Sequence, residues 1–221
     1  MEGSVTFDVE VFELTTTFEL DTRDLTIKSC TVNGDTAKFA LGHAHEAFGS
    51  KLTVSLPDKL QKSGAKGKVT IEYATSPSSS ACQWLPAAST AGKKHPYLFT
   101  QCQAIHARSL LPCQDCPQSK CSWSGRVTAP DWATVLMSAL QEGEGVAVGT
   151  GKKAFTWKQP VPTCSYLIAI AVGELASKDI SPRCRVWSEP SQLDKVAHEF
   201  AETETFLTTA ESLTCPYVWG R

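Results

Sequence analysis

Val5-Thr6-Phe7-Asp8-Val9-Glu10-Val11 alternates apolar with polar or acidic residues, the period-two signature of a strand with one buried face. The pattern continues outward from there. Phe18 and Leu20, then Leu25 and Ile27, repeat it across the short break at Asp21-Thr22. Val32-Asn33-Gly34-Asp35 carries an Asn-Gly dipeptide, a strong hairpin signal because both residues tolerate positive φ. Leu52, Val54 and Leu56 predict a strand ended by Pro57. Val69, Ile71 and Tyr73 predict another, ended by the loop Ser76-Pro77-Ser78-Ser79-Ser80. Strands at this spacing, joined by turns, imply an antiparallel sheet or sandwich.

Strands resume after a loop-rich middle. Trp123, Gly125 and Val127 alternate, as do Phe155 and Trp157 after the glycine-rich segment from Gly143 to Gly151. Tyr166 to Val172 is apolar on both faces and reads as a central strand. The character changes at Pro190. Ser191 with Asp194 resembles a capping box, and Leu193, Val196, Ala197, Phe200, Leu207, Ala210 and Leu213 fall at the spacing of an amphipathic helix. The expectation is a mainly β fold of large, curved, antiparallel sheets over residues 1–189, handing over at 190–221 to the opening helix of a helical region.

Composition narrows the function classes. The 221 residues are 42% hydrophobic and 20% charged, a globular balance long enough to bury a real core. The net charge is -2, and no basic cluster exceeds a pair such as Lys93-Lys94 or Lys152-Lys153. Nucleic acid is therefore a poor partner. Met1 to Glu10 is acidic and lacks an apolar signal region, and the longest apolar run, Leu167 to Val172, is too short to span a membrane. Nine cysteines, an odd number with no secretory signal, predict a reducing compartment, the cytoplasm, and mostly free, buried thiols.

Two motifs tempt a metal reading. His198-Glu199-Phe200-Ala201-Glu202 begins like H-E-x-x-H but ends in Glu202, and no two of the five histidines are four apart. The reading is a solvated acidic helix face. Cys113, Cys116 and Cys121, with His106 as a fourth group, lack the second tight ligand pair of a structural zinc site, so no metal is expected there. Cys113-Gln114-Asp115-Cys116 lacks the βαβ context of a redox motif.

The most informative stretch is Thr100-Gln101-Cys102-Gln103-Ala104-Ile105-His106-Ala107-Arg108, continuing through Leu111-Pro112-Cys113-Gln114-Asp115-Cys116-Pro117. It resembles the N-terminal domain of M1-family zinc aminopeptidases, where T-Q-x-[EQ], A-R and P-C-x-D recur in this order. Gln83-Trp84-Leu85, Lys94-His95-Pro96-Tyr97-Leu98-Phe99, Val186-Trp187-Ser188-Glu189 and Pro216-Tyr217-Val218-Trp219-Gly220 are similar to the leukotriene-A(4) hydrolase and aminopeptidase B branch. The similarity extends to Asp21-Thr22-Arg23-Asp24-Leu25-Thr26-Ile27 near the start.

The resemblance implies a saddle-like β-domain whose glutamine loop reaches over a zinc domain and receives the free N-terminus of a peptide. On it, Gln103 is the amine-side acceptor, Gln101 a second substrate contact, and Cys102 and Ala104 shape the subsite. A carbonyl oxygen of glutamine accepts from an ammonium. Gln103 stands where many relatives carry Glu, so amine binding should be weaker and a lipid substrate better tolerated. Arg108 and Asp115 are expected to form a structural pair or pin the loop rather than touch substrate, and His106 to be packed or hydrogen-bonded locally rather than catalytic.

The family's G-x-M-E-N motif has no place here, since the only methionines are Met1 and Met137 and Ser138-Ala139 follows the latter. No catalytic residue and no metal ligand is therefore expected within the chain. Zinc belongs to the full-length protein and the missing catalytic domain, and the chain alone should be inactive. First strands also look absent before Val5, which would leave an unpaired sheet edge and a marginally stable or self-associating chain. Two functions stay open. One is the substrate-positioning part of an aminopeptidase, with or without leukotriene-A(4)-type epoxide hydrolysis. The other is a noncatalytic peptide-binding or interaction module.

Overall fold

The computed structural model describes residues 1–218 of the 221. Trp219 and Gly220 of the last quoted motif lie outside the described residues. The chain forms two compact units, each assembled from separated segments. The first comprises Met1–Gln83, Gln101–Lys120 and Cys164–Ile168; the second comprises Trp84–Thr100, Cys121–Thr163 and everything from Ala169 onward.

In the first unit, strands β1 (Glu2–Glu10), β2 (Thr17–Thr22), β3 (Leu25–Val32), β4 (Asp35–Thr36), β5 (Phe39–Leu41), β6 (Ser50–Ser55) and β7 (Lys66–Thr75) make two antiparallel sheets. Their orders are β1-β7-β3-β4 and β2-β6-β5. The alternation decides which side chains turn inward. Leu20, Cys30, Val32, Leu52, Val54, Val69 and Ile71 are buried in one core to which both sheets contribute. Each such side chain stabilises the fold by roughly 1.5–3 kcal/mol relative to exposure. Phe7 and Phe18 join the two sheets, with ring centroids 5.4 Å apart. The outer faces carry cross-strand ion pairs, Lys68 with Asp8 and Lys51 with Glu19.

The Asn-Gly hairpin forms as expected. Val32 pairs with Asp35, and Asn33 and Gly34 adopt φ of 54 and 91°, a two-residue turn that needs positive φ at both positions. The Asn33 side-chain oxygen also accepts from the Lys68 amide at 2.8 Å, tying the turn to β7.

The second unit continues with β8 (Cys82–Leu85), which begins at the unit boundary, β9 (Tyr97–Thr100), β10 (Cys121–Pro130), β11 (Thr134–Met137), β12 (Leu140–Gln141), β13 (Val146–Ala147), β14 (Lys152–Thr163), β15 (Ile170–Gly173), β16 (Ala176–Asp179) and β17 (Arg185–Ser188). Ala129, Ala133, Val135, Phe155 and Trp157 form its core. Strand β15 lies inside its sheet, between β11 and β9. Its apolar run starts later than the hydrophobic pattern suggests. Ser165–Leu167 is a 3-10 turn of the first unit, where the Ser165 hydroxyl donates to Asp115 Oδ1 at 2.7 Å.

The C-terminal helical stretch is two helices, α1 (Leu193–Glu199) and α2 (Thr203–Leu213), rather than one. The break follows from local hydrogen bonding, since the Thr203 amide and hydroxyl both donate to the Phe200 carbonyl. The capping box does not form either. Gln192 is the N-cap with no side-chain bond, and Asp194 instead accepts from Lys178 Nζ at 2.8 Å. Among the described residues, no helix is long and apolar enough to cross a membrane.

Candidate substrate-binding loop

The four residues singled out by sequence sit consecutively on a loop of the first unit. Gln101, Gln103 and Ala104 are exposed, whereas Cys102 is only 3% exposed and faces the interior. The turn Gln103–His106 is closed by the His106 amide, which donates to the Cys102 carbonyl at 2.8 Å. The Gln103–Ala104 peptide is cis. Cys102 thus shapes the turn from beneath, and the two glutamine amides stand on its outer surface.

Ser79, Ser80 and Ala81 hold this loop, and the sequence pattern marks the two serines only as part of the loop that ends a strand. The Gln101 amide donates to the Ala81 carbonyl at 2.9 Å. Ser79 Oγ donates to the Ser109 carbonyl at 2.8 Å, and the Ser80 amide donates to Ser109 Oγ at 3.1 Å. Ser80 Oγ and His106 Nδ1 lie 2.7 Å apart. The start, middle and end of the loop are all fastened to Ser79–Ala81.

Below it lies a buried ion pair. Arg108 Nε donates to Asp115 Oδ2 at 3.0 Å, and the Arg108 backbone amide donates to the same oxygen at 3.2 Å. The guanidinium also donates to the carbonyls of Asp115 and Phe48, at 3.1 and 2.9 Å. Asp21 completes the network, its Oδ2 accepting from the Asp115 amide at 2.9 Å. Asp21 and Cys113 also exchange backbone bonds, so the segment after the loop is stitched to the end of β2. A fully hydrogen-bonded buried pair of this kind imposes geometry more reliably than it adds stability. Arg108 and Asp115 therefore do pin the loop.

The floor is chemically quiet. Burial, with Cys82 and Asp115 nearby, pushes the Cys102 thiol up to about 12, and burial drives Cys113 well above the ordinary thiol value. Tyr73 is pushed up to about 12, first by burial and then by the neighbouring Cys113 and Cys82. At neutral pH these groups stay protonated and offer neither nucleophile nor base. What the loop presents is neutral amide chemistry, two carbonyl acceptors and two NH2 donors. A shallow depression in the same unit, lined by Arg23, Asp24, His45 and Gly49 among others, takes in none of the four loop residues.

The described residues do not fit a catalytic zinc. Helix α1 stops at Glu199, so Glu202 lies beyond it, and a carboxylate stands where a second imidazole is needed. Among the described residues, no three His, Cys, Asp or Glu side chains gather around a common point. All nine cysteines are free, five of them buried.

Known proteins are similar to this chain in sequence and fold. The family model described as Peptidase M1 N-terminal domain matches residues 1–167. The chain is 48% identical over 203 residues to leukotriene A-4 hydrolase of Xenopus laevis, covering 91% of the chain and 33% of that protein. It is 44% identical over 222 residues to leucine aminopeptidase 2 of Yarrowia lipolytica, covering 100% of the chain and again 33% of the relative. The solved structure of native yeast LTA4 hydrolase superposes with a TM-score of 0.89 at 33% identity, covering 99% of the chain and 33% of that structure. The chain thus spans about a third of the length of these relatives. With three quarters of its length inside the family model and two relatives above 40% identity, the chain belongs to the M1 peptidase family, whose N-terminal domain it matches.

Proposed function

We propose that this chain is the substrate-positioning part of a zinc aminopeptidase of the leukotriene-A(4) hydrolase branch. Gln103 accepts from the substrate α-ammonium and Gln101 supplies a second contact, while Cys102 and Ala104 shape the subsite. The helices from Leu193 onward begin the helical catalytic domain, which holds the zinc and supplies the hydrolytic chemistry. The residues described here bind and orient, and the chain by itself is inactive. The observation that supports this reading most is the exposure of both glutamine amides on a loop fastened at three points. A fixed acceptor is useful to an exopeptidase because orientation of a bound terminus lowers the barrier to its hydrolysis.

The reading is tested in an active enzyme carrying this chain, made by joining it to the other two thirds of the Xenopus laevis relative. Gln103→Ala removes a hydrogen bond to a charged group, roughly 1.5–3 kcal/mol, and should lower kcat/KM for an aminoacyl arylamide at least tenfold. Gln103→Glu adds a fixed charge and should lower KM for the same substrate. Unchanged kinetics in both variants would defeat the assignment and favour a binding module without a role in turnover.

A further inference from the structure

The hydroxyl of Ser80 and the imidazole of His106 form a side-chain to side-chain bond on the turn that carries Gln103. Other fastenings act at the ends. Gln101 is held through its backbone amide, and Ser109 closes the far end with Ser79 and Ser80. Between them, the His106 amide closes residues 102–106 by donating to the Cys102 carbonyl. His106 is therefore the residue through which the exposed tip, Gln103-Ala104, is tied to the neighbouring segment. Its ring is half-buried and its Nδ1 sits 2.7 Å from Ser80 Oγ. A serine hydroxyl can donate to or accept from an imidazole nitrogen, according to the ring tautomer.

From this geometry we infer that Ser80 and His106 are a positioning pair for the amine-binding loop, setting where the Gln103 amide stands without touching substrate themselves. The inference rests on the proposed role of Gln103. It assigns the serine run before β8 a part in substrate recognition, because Ser80 anchors the tip while Ser79 anchors the end of the same loop. A hydroxyl carried by the neighbouring segment thereby contributes to the affinity of a residue 23 positions later, Gln103.

The test uses the same fused enzyme and an aminoacyl arylamide as probe. Ser80→Ala should lower kcat/KM about three- to tenfold, the scale of one neutral hydrogen bond. His106→Asn places an amide where Nδ1 was and should retain most activity. His106→Gln carries the amide one bond further out and should show the same loss as Ser80→Ala. The decisive measurement is the double-mutant cycle, in which Ser80→Ala added to Gln103→Ala should cost less than twofold more, since both act through one contact. Equal activity of the Asn and Gln variants, or losses that multiply in the double mutant, would overturn the pair while leaving the Gln103 reading intact. A Gln103→Ala enzyme with undiminished kcat/KM would bring down both. Should Ser80→Ala fail to fold, the Asn-against-Gln comparison at position 106 decides the matter alone.

Discussion

Replacing Asp115 by Asn removes one negative charge from a buried network of the first unit while keeping the size of the side chain. Three bonds depend on the carboxylate. These are Arg108 Nε at 3.0 Å, the Arg108 amide at 3.2 Å and the Ser165 hydroxyl at 2.7 Å. An asparagine can keep only part of this set, because its NH2 cannot accept from any of the three. Breaking a buried pair by removing one partner costs about 3–5 kcal/mol. Three contacts retained by the guanidinium argue for the lower end. The backbone carbonyls of Phe48 and of residue 115 still accept at 2.9 and 3.1 Å, and Asp21 Oδ1 remains 3.5 Å away. We expect a loss of about 3 kcal/mol, or a fall in Tm of about 6–12 °C for a chain of this size. Urea unfolding followed by tryptophan fluorescence measures it, with the midpoint shifting at constant slope. A loss below about 1 kcal/mol would refute the view that this pair carries the loop.

Three further outcomes follow from particular residues. Gly49 has φ of +72°, and a Cβ there would lie on the Thr22 carbonyl oxygen and 2.8 Å from Arg23 Cα, so Gly49→Ala should cost more than about 2 kcal/mol in a thermal melt. Gly64, with φ of +79° and open space around it, is the control and should cost only about 1 kcal/mol on substitution by Ala. Cys116 is exposed and hydrogen bonding from Ser119 holds its thiol below the ordinary value, so maleimide at neutral pH should label it well before Cys102, as mass spectrometry of the peptides would record. Arg183 hydrogen-bonds Glu211 and lowers its folded pKa from 4.5 to about 2, so its contribution to stability is present above about 4.5 and lost as pH falls through 2; the deficit of Glu211→Gln in acid melts should shrink across that window.

The sheets were legible because their determinants are local. Alternation at Val5, Phe7 and Val9 places those residues against the core, and the Asn33-Gly34 pair closes the turn it predicts. Local rules failed where a hydrogen bond from elsewhere competes. The apolar run from Tyr166 begins as a 3-10 turn whose Ser165 is held by Asp115, fifty positions earlier. The helix divides at Phe200 because Thr203 takes its carbonyl, a bond that periodicity does not see. The glutamines were found through family motifs, but their supports were not. Asp21 and Cys113 meet across 92 residues, and Ser80 meets His106 across 26, separations at which no sequence pattern signals contact.

Those distant supports also explain how charge is used around the loop. Two charges beneath it, Arg108 and Asp115, are buried at 6% and 3% exposure and pair with one another. A paired charge leaves only a dipole outside, which falls away faster with distance than a single charge would. On the proposed reading, the ammonium of a substrate therefore meets no compensating formal charge from this pair, and the exposed groups of the loop itself offer it amide oxygens. Such acceptors attract weakly unless they are already in place, because a mobile glutamine would spend the interaction on its own ordering. Rigidity has to replace charge, and a neutral loop fastened by buried ions and serine hydroxyls is a construction that supplies it.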